Sequence, residues 1–505
     1  MMFSNTRTGT CRGQGLLIAL ALFVAAWMPP PAATAAAPAP ALLLRHVRVL
    51  DFSGPATVER DGTSVLIRAG RIVAVAPDAE LPAPTDARVI DGHGQTLMPG
   101  LVDMHVHVWD QAELGAYLAS GITTIRNLSG MPFHLDLQAR IAAGELAAPR
   151  LVTTGPILNG TGPNAQLNHQ IVDTPEAARA AVRGQYAAGF RRLKVYSNLS
   201  RPAYQAIREE AARLDMTLAG HSPEGVREPG MPHQRPFHIP FETLLDDGFV
   251  TLEHMETIVW HGLRDDLDES RLRPLARRIA AAGVPVDPTL LAYYSLLRVA
   301  ETRGAYLDRP GVEYLNPFIS EHEAAGYARW SQEDAASARR YFEFYKRAVR
   351  IFQQEGVILV TGTDAGIFTN IPGTSLITEL TLLREAGLDA HQTLRAATYN
   401  AAVALGEAES AGRVAPGFRA DLILIDGDPL QDVRLAGRPS AMVVAGRYLS
   451  GEALAQRRAA AAHPPYDRTR DQVLAGLAAQ SLPPPEPTGL DPDARPAQPV
   501  TSSDR

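Results

Sequence analysis

The stretch "MPGLVDMHVHVWD" (98–110) sets His105 and His107 one residue apart, behind an apolar run that contains Asp103. Alternate residues of an extended strand share a face, so the two imidazoles would project together. With 14 histidines in 505 residues, roughly 0.4 such His-x-His triplets arise by chance. The meaning of the pair therefore depends on what surrounds it.

Working outward, apolar runs recur through the middle of the chain: "LVDMHVHV" (101–108), "GITTIRNL" (121–128), "RLVTTGPIL" (150–158) and "RRLKVY" (191–196). They continue with "TLAGHS" (217–222), "VTLEHM" (250–255), "VPVDPTL" (284–290) and "VILVTGTDAG" (357–366). Between most of them lie helical stretches such as "TPEAARAAVRGQYAAG" (174–189), where Thr174 is placed to cap a helix and Pro175 to begin it. Strands alternating with helices in this way predict an α/β fold, a (β/α)8 TIM barrel over residues 98–405. The long connection 290–356 is expected to carry extra helices beside the barrel mouth.

The flanks have a different texture. Residues 38–97 and 406–450 read as short strands with glycine-containing turns, and together predict a small β-sandwich domain that brackets the barrel. Residues 451–505 turn Ala-rich and then Pro-rich, which reads as a frayed helix and a disordered tail. At the other end, Arg7 and Arg12 precede the apolar run "LLIALALFVAAW" (16–27) and the small-residue stretch "PAATAAA" (31–37). That is the layout of a secretory signal peptide over residues 1–37, implying a secreted or periplasmic protein. The apolar run is shorter than the ~20 residues of a spanning helix, so no membrane attachment is expected after cleavage.

Composition narrows the chemistry. The single cysteine, Cys11, lies in the presumptive signal, so the mature chain would have no thiolate ligand and no disulfide. Loss of Arg7 and Arg12 would take the formal net charge from −7 to −9, which disfavours nucleic acid as a partner. Oligomerisation remains open.

Polar residues fall at one end of the presumed strands. Besides His105 and His107 there are Lys194, His221, His254 and Asp364, each following an apolar run. Barrel enzymes keep their chemistry at the C-terminal ends of the strands, and buried lysine and aspartate are rare unless paired or bound to a cation. Each residue alone has a structural explanation, but coincidence does not favour one rim of one barrel.

Taken together, "PGLVDMHVHVWD", "GFRRLKVY", "LAGHSPEGV", "TLEHMET", "VTGTDAG" and "GRVAPGFRADLILIDGDP" resemble the metal-dependent amidohydrolase superfamily, in its imidazolonepropionase-like and prolidase-type dipeptidase branch. The resemblance extends over roughly residues 41–450. It implies that His105 and His107 hold the more buried of two metal ions, with His221 and His254 holding the second. It further implies that Lys194, carboxylated by CO2 to a carbamate, bridges the pair, and that Asp364 ligates the first metal and handles a proton. Imidazole and carboxylate ligands without thiolate suit Zn2+, with Mn2+ or Co2+ as alternatives. A hydroxide between the metals would then attack an amide-type C–N bond in a dipeptide or N-acyl amino acid.

Alternatives stay open. Glu224, three residues after His221, has the spacing of the proton-shuttling acid in single-metal deaminases and cyclic-amide hydrolases. A lactonase could use the same metal pair. A non-catalytic binding barrel is disfavoured because every expected ligand position holds a competent residue. Substrate contacts are expected from Tyr196, His233, His238, Tyr293 and Tyr294, with Arg227 or Arg235 receiving a carboxylate.

Overall fold

The strands of the middle segment pair in parallel, in the order their alternation with helices requires. The computed structural model describes residues 41–163, 167–226 and 236–480. One parallel sheet joins Leu101–Val106, Ile122–Asn127 and Arg150–Thr153. A second runs His169–Ile171, Ile157–Asn159, Arg192–Val195, Thr217–Gly220, Phe249–Glu253 and Val286–Asp287. The Gly155 N–H donates to Arg192 O (3.0 Å) and so ties the first sheet to the second. The arrangement is TIM-barrel-like, with helices packed outside the strands.

The last two runs depart from regular strands. Of "VPVDPTL" only Val286–Asp287 is a strand, because Pro285 and Pro288 remove the amide donors on either side. Residues 357–366 form no named strand, yet they bond to neighbours on both sides. The Val286 N–H donates to Ile358 O (2.9 Å), the Met104 N–H to Thr361 O (2.7 Å) and the Asp364 N–H to His105 O (2.8 Å).

The helix Pro175–Ala188 begins as its sequence predicts, with Thr174 Oγ1 accepting from the Ala177 N–H at 3.2 Å and Pro175 in the first turn. Its buried face (Ala178, Val182) packs with Leu193, Ile207 and Leu252 into the main apolar core between strands and helices. The connection 290–356 carries the expected extra helices, but the first starts immediately. Residues 291–297, with Tyr293 and Tyr294, belong to the helix Leu290–Glu301. Both carboxylate oxygens of Glu379 accept from its first amides, Leu290 N–H (3.1 Å) and Leu291 N–H (2.7 Å), which caps the helix from outside.

The flanking segments meet in one eight-stranded sheet, in which Thr96–Pro99 pairs with Leu422–Ile425 and Ala41–Asp51 pairs with Val58–Arg68. The strand Leu422–Ile425 shows the period-2 logic. Leu422 and Leu424 enter the core of this sheet, while Ile423 and Ile425 pack with Tyr117, Leu118 and Leu376 at the side of the parallel strands. Residues 451–480 form two helices, Gly451–Ala461 and Tyr466–Ala479, in place of a frayed one. The second is held by Arg468, whose Nε donates to Asp110 Oδ2 at 2.7 Å, and by Val473 and Leu477 packed with Trp109 and Met131. Among the described residues no helix is long and apolar enough to cross a membrane. The presumptive signal 1–37 and the tail from 481 lie outside the described residues.

Gly366 marks the tightest passage. It has φ +99°, and a Cβ there would lie 2.0 Å from His107 O. Both the left-handed backbone and the close approach exclude a side chain. Gly366→Ala should lower unfolding stability by roughly 2 kcal/mol or more, read as a shift of the urea midpoint.

Candidate metal centre

The ends of the parallel strands deliver their polar side chains to one spot. His105 Nε2 lies 3.1 Å from Asp364 Oδ1, and His107 Nε2 lies 3.0 Å from the same oxygen. Lys194 Nζ sits 2.9 Å from His105 Nε2. The His254 ring is 4.6 Å from that of His105 and 4.4 Å from that of His221, between centroids. All six residues proposed from sequence therefore converge, and all but the partly exposed His221 are buried. The backbone turns sharply to achieve this: His254 has φ 69° and Asp364 φ 56°. Left-handed conformations at non-glycine residues cost energy and persist where the surroundings enforce them.

A layer of polar groups beneath fixes the rings. Glu253 Oε2 lies 2.9 Å from His105 Nδ1, which leaves Nε2 facing Lys194 and Asp364. Arg126, wholly buried, holds Glu253 in turn. Its Nη2 donates to Glu253 Oε1 (2.7 Å), Nη1 to Thr251 Oγ1 (2.7 Å) and Nε to Met104 O (2.6 Å). Thr289 Oγ1 lies 2.7 Å from His254 Nδ1 and fixes that ring in the same way. Asp103 accepts from Thr363 Oγ1 (2.7 Å), bracing the strand of His105 against residues 361–364. Carboxylates and hydroxyls behind histidines are the usual means of orienting a metal-binding imidazole.

The electrostatics favour neutral imidazoles around an ionised carboxylate. Burial lowers His105 and His221 well below the ordinary histidine value, lowers His107, and takes His254 down to about 4. Burial likewise lowers Lys194 to about 8. For Asp364 burial opposes ionisation, but the surrounding imidazoles of His105, His107 and His254 outweigh it and hold the group below the usual carboxylate range.

These groups fit a divalent cation. His105, His107 and Asp364 each offer a ligand atom within 4.8 Å of the others, as do His105, Glu253 and Asp287. Buried atoms that would otherwise be costly lie here without partners: His107 Nδ1, His221 Nδ1 and both carboxylate oxygens of Asp287. Neutral imidazole and ionised carboxylate are the protonation states a metal requires.

The expected substrate contacts divide. The Tyr196 ring is buried 3.9 Å from that of His221. Tyr293 Oη donates to Glu256 Oε2 at 3.4 Å, and its ring packs edge-on to Tyr345, whereas Tyr294 packs against Phe342. His238 is exposed, and its carbonyl accepts from Arg201. Glu224 is buried and accepts from the Trp260 indole N–H at 2.9 Å. Arg227, His233 and Arg235 lie outside the described residues.

Sequence reasoning passed over Arg126, Glu253, Asp287 and His169. The signal for Arg126 was present, a charge in the middle of the apolar run "GITTIRNL". His169 is buried with its ring 4.7 Å from that of Tyr196, and its Nε2 has no partner.

The amidohydrolase family model matches residues 96–454. Imidazolonepropionase of Klebsiella pneumoniae is 25% identical over 430 residues, 80% of this chain and 94% of that protein. Adenine deaminase 2 of Shouchella clausii is 35% identical over 88 residues only, 16% of this chain and 15% of that one. Among solved structures, a putative prolidase from Bifidobacterium longum superposes with a TM-score of 0.61 at 23% identity, covering 83% of this chain and 99% of that one.

Two outcomes follow from the buried charges. Arg126→Met leaves the buried Glu253 without its cationic partner, and should cost about 3–5 kcal/mol in chemical denaturation; Arg126→Met/Glu253→Gln should recover most of it. Lys194 is protonated less readily in the fold than in the unfolded chain, so the unfolded chain binds more protons between its two values. Metal-free protein should therefore gain stability, on the order of 2 kcal/mol, as pH rises from about 8 to about 10. Lys194→Met should abolish that gain.

Proposed function

The chain belongs to the amidohydrolase family, and on that premise we propose that it hydrolyses the amide-type C–N bond of a dipeptide or N-acyl amino acid at a pair of divalent cations. The observation that carries this reading is Lys194 Nζ, 2.9 Å from His105 Nε2 within the ring of histidines. A lysine at a one-metal centre would be a buried cation facing a cation. As a carbamate it presents two anionic oxygens to two metals.

On this reading His105, His107 and Asp364 would hold one ion, His221 and His254 the other, and a carboxylated Lys194 would be shared. The fall of Lys194 to about 8 makes the neutral amine accessible, and this is the form that attacks CO2. An N–C bond forms, a proton is released and the carbamate carries one negative charge. Bound zinc, or manganese or cobalt, supplies Lewis acidity for the carbonyl and a nucleophile at neutral pH. Asp364, ionised and facing both His105 and His107, takes the proton of the attacking water at its carboxylate and returns it to the departing nitrogen. His169 Nε2 and the Tyr196 hydroxyl stand beside this carboxylate–imidazole cluster to bind the substrate's carbonyl or carboxylate oxygen. A buried group such as His169 Nε2, left without a partner in the free protein, is suited to such discrimination.

The same reading takes the parallel strands with residues 357–366 as one (β/α)8 barrel, and the flanking sheet as part of a small β-sandwich domain. Residues 1–37 act as a cleaved signal, so substrates are met outside the cytoplasm; the sequence layout of positive residues, apolar run and small residues supports this.

Purified protein should contain close to two equivalents of metal and release amino acids from Xaa-Pro dipeptides or N-acyl amino acids. Chelation should abolish turnover and Zn2+ restore it. Lys194→Ala should lose both metal and activity by at least 100-fold. One equivalent of metal with ammonia release from amino-substituted heterocycles would replace this reading with a deaminase using Glu224, and cleavage of lactones alone would replace the C–N bond by an ester.

A further inference from the structure

At the opposite end of the parallel strands the interior is basic. Arg192 opens the strand Arg192–Val195 two residues before Lys194, so the two side chains share a strand face. Thr217 pairs with Arg192 in register. Arg150 opens Arg150–Thr153 opposite Thr124, one step below the pair formed by Arg126 and Val152. The lowest interior layer thus holds two guanidinium groups and two threonines, beneath the Arg126 that anchors Glu253.

A small cleft opens there, lined by Arg126, Arg192, Thr154 and Thr217 together with apolar residues such as Leu193 and Val250, and Arg150 lies outside this lining. The donors of Arg126 facing Met104 O, Thr251 and Glu253 are engaged. The Arg192 side chain is half-buried and, among the described residues, makes no hydrogen bond or ion pair. Arg150 pairs through Nη2 with Glu407, while its Nη1 is buried without a partner. Glu407 is already shared, since Arg419 Nη2 binds its other oxygen at 2.9 Å. Burial and the nearby charge of Arg150 both weigh against the charged form of Arg192, and Glu407 offsets them in part.

A guanidinium cannot shed its proton at any ordinary pH. Arg192 on this cleft and the nearby Arg150, whose Nη1 is buried without a partner, together offer more donors than the single shared acceptor Glu407 can meet. The planar fork of arginine matches an oxyanion that accepts through two oxygens. We propose that the floor of the parallel strands binds one small oxyanion, of phosphate or carboxylate type, between Arg192 and Arg150 and apart from the metal centre.

Inorganic phosphate tests this by isothermal titration of the metal-loaded protein at constant ionic strength, with acetate titrated in parallel to separate a phosphate from a carboxylate ligand. Wild-type protein should bind one phosphate, or one acetate, that Arg192→Met and Arg150→Met each weaken at least ten-fold with metal content and turnover unchanged. The thermal midpoint should rise with that anion more than with sodium chloride of equal ionic strength, and both variants should lose the rise. Arg192→Lys keeps the charge without the fork and should bind more weakly than wild type, which preserves the test if Arg192→Met folds poorly. Binding that is undiminished in both arginine variants, or that disappears only with His105→Ala, would assign the anion to the metal centre and overturn the proposal; so would a response that chloride reproduces.

Discussion

Arg126 and Glu253 form the buried ion pair on which the rest of the centre depends. Neither charge can leave the interior, and neither is tolerable there alone, so each fixes the other. The pair spans the strands: Arg126 binds a carbonyl of the His105 strand and two side chains of Phe249–Glu253. Glu253 then passes the constraint to His105 Nδ1, which decides which nitrogen is turned toward Lys194 and Asp364. The rim of histidines is thus the top of a column of polar groups, while the arginines of the floor form its bottom and the apolar core lies outside it.

Positioning at the rim relies on backbone geometry that local preferences would not choose. His254, Asp364 and Thr289 all have positive φ; His254 follows a strand, Thr289 precedes a helix and Asp364 lies in the irregular run 357–366. The surroundings hold them there. Glu379 caps the helix that follows Thr289, Gly366 lets the chain pass against His107, and the Trp109 indole donates to Gly366 O at 3.0 Å. The helix Tyr466–Ala479 in turn braces the Trp109 segment, since Gln472 donates to Trp109 O at 3.0 Å. The far C-terminal part of the described chain thereby stiffens the loop after the first strand of the centre.

The flanking sheet shows the same economy of residues. Its strands present one set of alternate side chains to their own core and the other to the helices beside the parallel strands. Segments separated by over 300 positions become neighbours through the pairing of Thr96–Pro99 with Leu422–Ile425. That pairing keeps the two ends of the parallel-stranded segment close together, which a TIM-barrel-like arrangement requires.

Much of this was legible in the residues themselves. Apolar runs alternating with capped helices identify parallel strands, because periodicity and capping are local properties of the chain. Polar residues at the ends of those runs mark the ligand candidates, because a charge next to a buried segment needs a reason to be there. Which atoms face each other was decided only by tertiary structure. Arg126 and Glu253 are 127 positions apart and meet because parallel pairing and strand register align their faces; nothing in either neighbourhood names the other. The unmet donors of Arg150 and Arg192 have the same origin. They reflect who is opposite whom across a sheet, a relation that sequence patterns on one strand do not contain.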